Sequence, residues 1–247
     1  MIRFKNMLLA ALLLPVMAAA QEGGDVQAQI LYAYHTEDTN SLQDLVQDLT
    51  AKVKDDADNP ALRYHLAHAH YRIGELSGHA AAHRAEGALS DCIDDIKPLL
   101  QKDVKSVESL ILQGACYLAL ADLRSMESVV LRSRAWDRLN GAAKLAPRNP
   151  RLLLIESTQT LARAKMGSPE RQQALAQLNL AVQVFDQSPS TNVDEPGWGH
   201  AEAYLALGRE LQARGDRVQA RNLIEKALIA APDFKSAQRQ LTLLSKP

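Results

Sequence analysis

Apolar side chains return every third or fourth residue along most of this chain, and no stretch shows the strict alternation of a half-buried strand. Leu42, Leu45, Val46, Leu49 and Val53 form one such stripe after Asn40-Ser41, and Val26, Ile30 and Tyr34 form a weaker one before it. A period near 3.6 predicts helices. Asn59-Pro60 and Asn149-Pro150 each set a capping side chain before a proline that suits the first helical position. Gly167-Ser168-Pro169 reads as a turn followed by a helix start. Gln187 to Gly199 holds Ser188, Pro189, Ser190, Asn192, Pro196 and Gly197, the character of a linker. It ends on Trp198, whose bulk is expected to pack back on the last unit. A final helix is expected through Leu244, capped by Asp233, with Lys235, Gln238 and Arg239 on its polar outer face.

The helical stretches repeat. In Ala201 to Phe234, Tyr204, Leu207, Gly208 and Leu211 are followed by Gly215, Ala220, Ile224, Ala227 and Pro232. These positions resemble the tetratricopeptide-repeat (TPR) family, whose signature W-x₂-L-G-x₂-Y opens a helical hairpin of 34 residues. Small residues at 208, 220 and 227 fall where two antiparallel helices cross closely. Gly208 is expected to tolerate alanine there but not leucine. Gly215 suits a tight turn, and Pro232 ends the second helix.

Earlier units carry the same order of signals. Leu66, Ala67 and Tyr71 precede Gly74, read as the turn of the first unit; Leu110, Gly114 and Tyr117, then Ala135, Leu139, Ala142 and Pro147, form the second. The third runs through Leu154, Ser157 and Leu161, then Ala174, Leu178 and Ala181. Gly74 to Ala88 and Ala121 to Ala135 are each nine residues longer than Gly215 to Ala220. His79 to Glu86 and Met126 to Arg134 lack proline and favour helix, so the insertions predict longer helices rather than loops. The expectation is an all-α, TPR-like helical-hairpin solenoid with two lengthened hairpins and terminal capping helices. Its parts are a signal peptide (1–20), N-terminal capping helices (21–58), degenerate hairpins (59–187), a linker (188–199) and a C-terminal repeat with its capping helix (200–247).

The extremity bears on location. Arg3 and Lys5 precede an apolar run from Met7 to Met17 that closes on Ala18-Ala19-Ala20, the order of a secretory signal peptide. The run is short for a membrane span and holds Pro15, so cleavage after Ala20 and a periplasmic protein without stable membrane insertion are expected. Lys plus Arg number 28 against 29 Asp plus Glu, which gives no footprint for nucleic acid.

Candidate chemistry is sparse. Five of the seven histidines lie between His65 and His83. His65 with His68, or His79 with His83, would share a helix face, and Asp91, Cys92 or Asp95 would complete a metal site only if the hairpin brought them round. Cys92 and Cys116 fall on neighbouring helices, either as a disulfide or as two buried thiols. Motifs of hydrolases, nucleotide binders and redox dithiols do not occur, so no cofactor and no enzymatic activity are expected.

The TPR resemblance implies a protein or peptide partner in a concave groove lined by the first helix of each hairpin. Helical phase places Tyr64, His65, His68, Tyr71 and Arg72 on that face, then Glu108, Ile111, Leu112, Ala115 and Leu118. Arg151, Leu154, Ile155, Thr158 and Leu161 follow, with Glu202, Leu205, Arg209 and Gln212 last. Tyr64, His65, His68, Tyr71, Arg72, Arg151 and Arg209 are the candidate partner contacts. The apolar middle is expected to be covered by the chain's own N-terminal helices, leaving the polar rim near Tyr64, His68 and Arg72 to the partner. The expected function is a non-enzymatic interaction scaffold of the bacterial periplasm or cell envelope. The alternative is a metal- or small-ligand-binding protein built on the histidine-rich hairpin.

Overall fold

The structure is a computed structural model that describes residues 14–187 and 195–245, with side chains from residue 25 onward. The expected leader therefore lies outside the residues whose side chains are described. Among the described residues the chain is eleven α-helices: α1 (Leu14–His35), α2 (Thr39–Asp55), α3 (Pro60–Ser77), α4 (Ala82–Lys102), α5 (Val107–Leu123), α6 (Ser128–Leu145), α7 (Pro150–Leu161), α8 (Pro169–Gln187), α9 (His200–Ala213), α10 (Arg217–Ala230) and α11 (Lys235–Ser245). From α3 to α10 they pair as four antiparallel hairpins, each packed on the next.

The local signals act as the sequence implies. Asn59 Oδ1 accepts from the backbone N–H of Ala61 and Leu62, and Asn149 Oδ1 from those of Arg151 and Leu152, with Pro60 and Pro150 opening the helices. Gly215 turns with φ +89°, in the left-handed region open to glycine. The two lengthened hairpins are helical: α3 and α4 have 18 and 21 residues and α5 and α6 have 17 and 18, against 14 each in α9 and α10.

Two readings of helix boundaries need correction. Gly74 is not a turn. It lies inside α3, and the chain reverses at Gly78 and the short 3₁₀ turn that follows. A Cβ on Gly74 would stand 2.5 Å from Leu89 Cγ, one on Gly114 2.8 Å from Leu139 Cγ, and one on Gly208 2.8 Å from Ile224 Cγ1. Gly74 thus lets α3 and α4 approach as Gly114 and Gly208 do in their hairpins. The last helix begins differently too: its first backbone bond, from Gln238, goes to Phe234 rather than Asp233.

Gly208 is tighter than its sequence context implies. Its Cβ would also meet the Ala220 carbonyl oxygen at 3.2 Å, and backbone cannot step aside. Gly208→Leu is expected to cost 3 kcal/mol or more, on the order of the upper range for overpacking. Gly208→Ala is expected to destabilise as well, against the earlier expectation. Exposed Gly87, with no atom within 4 Å of its Cβ position, gains up to about 1 kcal/mol from the same change. Thermal melts of the three variants decide the matter: a Gly208→Ala protein as stable as Gly87→Ala would contradict the close crossing.

Cys92 on α4 and Cys116 on α5 form a disulfide, with Cα atoms 6.4 Å apart. It ties the first hairpin to the second. Closing a loop between residues 24 apart stabilises by about 3 kcal/mol in the chain-entropy account.

The core falls into three clusters, and α1 joins them. Ile30 is buried with α2 and α3, Leu31 packs on the middle cluster around α3–α7, and Tyr34 packs on the C-terminal cluster. The groove-face residues Ile111, Leu112, Ala115, Leu118, Leu154, Ile155 and Leu161 are all buried. The face is therefore no open apolar groove, and the burial goes further than expected: Tyr64, His65, His68, Tyr71 and Arg72, expected as an open rim, are buried as well. The reason is Trp198. It packs on the first hairpin, not the last unit, and with α1 it fills the concave face.

Candidate functional site

The inner face of α3 presents Tyr64, His65, His68, Tyr71 and Arg72, which share one side by three- and four-residue spacing. Arg72 is the centre, with a side chain only 2% exposed. Its Nη1 donates to Glu75 Oε2 and its Nη2 to Glu202 Oε1, both at 2.6 Å, while Nε donates to His68 Nε2 at 3.0 Å. The guanidinium stands 4.0 Å from the centre of the Tyr34 ring and 5.3 Å from that of Trp198. Burial opposes its charge, but Glu75 and Glu202 outweigh that and raise its pKa.

Glu202 sits in the first turn of α9, so the Arg72 pair joins the first hairpin to the last across 130 positions of sequence. Its other oxygen accepts the backbone N–H of Gly199 at 3.1 Å, capping the helix. Burial alone would push the carboxyl up. Arg72, aided by His35 Nε2 at 3.8 Å, holds it well below the usual carboxylate range.

The segment before α9 lies across this face. Arg151 donates to the Pro196 carbonyl at 2.7 Å while its Nε and Nη2 grip Glu108 at 2.7 and 2.8 Å. The Gly197 N–H donates to Gln27 on α1 at 2.9 Å. The Trp198 indole N–H donates to the Tyr64 hydroxyl at 3.0 Å, and the ring stacks on His68 at 5.7 Å between centroids. Since a guanidinium only donates, His68 Nε2 must accept and the ring is neutral. Burial and the Arg72 charge keep its pKa well below normal, and burial lowers that of His65 to about 4.

What stays open is a cavity of about 250 Å³ between α3, α7 and α9, lined also by Tyr34 and Phe234. Leu154, Ile155, Leu205 and Ala206 give it apolar walls; Thr158 and Gln159 add polar atoms. Arg209 stands at the edge, bonded among the described residues only to the neutral Gln240 and Ser236 at 3.3 and 3.2 Å. Of the candidate contacts, Tyr71, Arg72 and Arg209 border this cavity, whereas Tyr64, His68 and Arg151 stand around Trp198 and His65 lies beside Tyr64, 6.2 Å between ring centres. Tyr34, Phe234 and Trp198 were not read as part of the site. Only the weak Val26, Ile30 and Tyr34 spacing hinted at the first of them.

The histidines do not converge. His65 and His68 are buried inside, and His79 and His83 are exposed on the α3–α4 tip. The hairpin does bring Asp95 and Asp91 round, but to His70, at 2.8 and 4.0 Å, and Cys92 is committed to its disulfide. Among the described residues no group of three or more His, Cys, Asp or Glu is placed to hold a metal ion. None of the described helices is long and apolar enough to cross a membrane.

No protein-family model and no curated protein matches the chain. Among solved structures it is similar to a thermophilic TPR protein of Thermus thermophilus, with a TM-score of 0.63 and 18% identity over 91% of this chain and 98% of that one. The hairpin order, the glycine crossings and this likeness together give the conclusion that the chain has a TPR-like all-helical fold.

Proposed function

We propose that the protein is an exported, non-enzymatic interaction scaffold of the bacterial cell envelope that takes a protein or peptide partner at the remaining cavity of its concave face. The observation that carries this reading is the cavity itself. On a face otherwise filled by α1 and Trp198, apolar walls and Arg209, which meets no carboxylate among the described residues, stay accessible. An apolar side chain next to an acidic group suits such a place, with Tyr71 and Arg72 forming its inner end. The inner charges serve architecture: Arg72 is spent on two carboxylates, and Glu202, held ionised, is a poor proton donor. The Cys92–Cys116 disulfide supports an oxidising compartment, in keeping with the signal-like N-terminus.

A photo-crosslinking residue in place of Arg209, compared with one at exposed Arg138 on α6, tests the site in cells. A discrete adduct from position 209 alone is expected. Equal labelling from both positions, or none at 209, would remove the cavity as the partner site. Export is checked separately by the N-terminus of the purified protein, expected at Gln21; an intact Met1 on cytoplasmic protein would contradict it.

A further inference from the structure

We propose that the tip of the α5–α6 hairpin docks the protein on an anionic lipid surface. This hairpin is one of the two lengthened ones, and its turn carries Met126 fully exposed, with Val129 at 80% and Val130 at 54% exposure. Met126 lies in the turn and the two valines follow within four residues, in the first turn of α6, so the tip presents three exposed apolar side chains to water.

The surroundings of the tip are basic. Antiparallel hairpins bring the turns α3–α4, α5–α6, α7–α8 and α9–α10 to one edge of the solenoid. Arg84, Arg134, Lys165 and Arg214 stand on or near those turns, all exposed, and among the described residues no carboxylate pairs with them. Three of the nearby acids are engaged: Glu86 takes Arg124 at 2.9 Å, Glu127 lies 3.8 Å from the same guanidinium, and Asp122 is shared by Arg132 and Arg163 at 2.7 and 2.8 Å. On the opposite edge the charges are mixed, with Asp55, Asp56 and Asp103 beside Lys54 and Lys105, and Asp58 paired with Lys102 at 2.6 Å.

Trp136 lies two turns along α6 from Val129. It is half-buried and lines an open hollow of about 440 Å³ together with Arg163, Lys165 and Glu170. Apolar side chains for the acyl boundary, an indole at headgroup depth and cations for lipid phosphates form the pattern of reversible attachment to anionic bilayers. Nucleic acid would have no use for the methionine and valines. Docking by this edge leaves the concave cavity free, so the proposal stands apart from the partner site.

The test is flotation of the purified protein with vesicles of phosphatidylcholine alone and of phosphatidylcholine mixed with phosphatidylglycerol. Salt-sensitive binding to the mixed vesicles only is expected. Met126→Ser/Val129→Ser/Val130→Ser should weaken it more than about tenfold. Arg134→Ser/Lys165→Ser should weaken it about fivefold per cation removed. All five positions are exposed, so unchanged melting curves are expected for both variants. Absence of binding to the anionic vesicles, equal binding to both kinds, or binding indifferent to the triple variant would each overturn the proposal. So would vesicle-free dimers, in sedimentation, that the triple variant abolishes, because a second copy would then cover the tip.

Discussion

Arg72→Met is expected to destabilise the protein by about 3–5 kcal/mol, because Glu202 would remain buried without its cation. Glu202→Gln should cost less, since Arg72 keeps Glu75 at 2.6 Å. Combined, the two changes should cost clearly less than their sum, with a coupling on the order of 1–3 kcal/mol as found for residues in one buried network. Denaturant unfolding of the wild type, both single variants and the double variant measures this cycle. Additive costs would mean that the first and last hairpins are not joined by this pair. The value of the cycle lies in its reach: a solenoid normally couples neighbours only, whereas this contact spans the array.

The second large effect is a loss of stability in acid. His65 and His68 are neutral in the folded protein, with pKa values lowered by burial, to about 4 for His65 and well below normal for His68, where Arg72 adds to the effect. An unfolded chain takes up protons on both near pH 6.5. Their contribution is therefore complete above that value and is lost as pH falls from 6.5 toward 4. For His65 alone the loss reaches on the order of 3 kcal/mol. Glu202 adds to the loss only below about pH 5, where the unfolded carboxyl begins to take up a proton while the folded one stays charged. Unfolding free energies between pH 8 and 4 should show the slope, and His65→Leu, which removes a ring nitrogen that has no buried partner, should flatten it. An identical slope in the variant would show that His65 is hydrated.

The ability of the sequence to foretell these features divides along a physical line. Local chemistry was legible. Asn59-Pro60 and Asn149-Pro150 announce helix starts through their own side chains, Gly215 its turn, and the nine-residue insertions their helical character. Helical phase also carried Tyr71, Arg72, Leu154, Ile155, Thr158, Glu202, Leu205 and Arg209 to the right face of their helices. Phase fixes direction, however, and says nothing about what lies opposite. That the face is closed depends on α1 and on Glu195 to Gly199, which approach it from distant parts of the chain. The stripe of α1 was weak because it touches three clusters, so its apolar residues do not line up on one side. Trp198 was misplaced for the same reason: adjacency to α9 suggested the last unit, whereas its hydrogen bond and ring stacking are with residues more than a hundred positions earlier. Gly74 was misread because glycine suits both a turn and a tight helix crossing, and only the position of Leu89 separates the two.

The central claim is that the concave face is occupied by the chain itself, with Trp198 as its plug. Trp136 is the one other tryptophan, so Trp136→Phe isolates the signal. The Trp198 fluorescence of that variant should be blue-shifted and protected from acrylamide in the native state, and should move to the solvated spectrum in one step with unfolding. A native spectrum already that of a water-exposed indole, freely quenched, would contradict the account and leave the groove open.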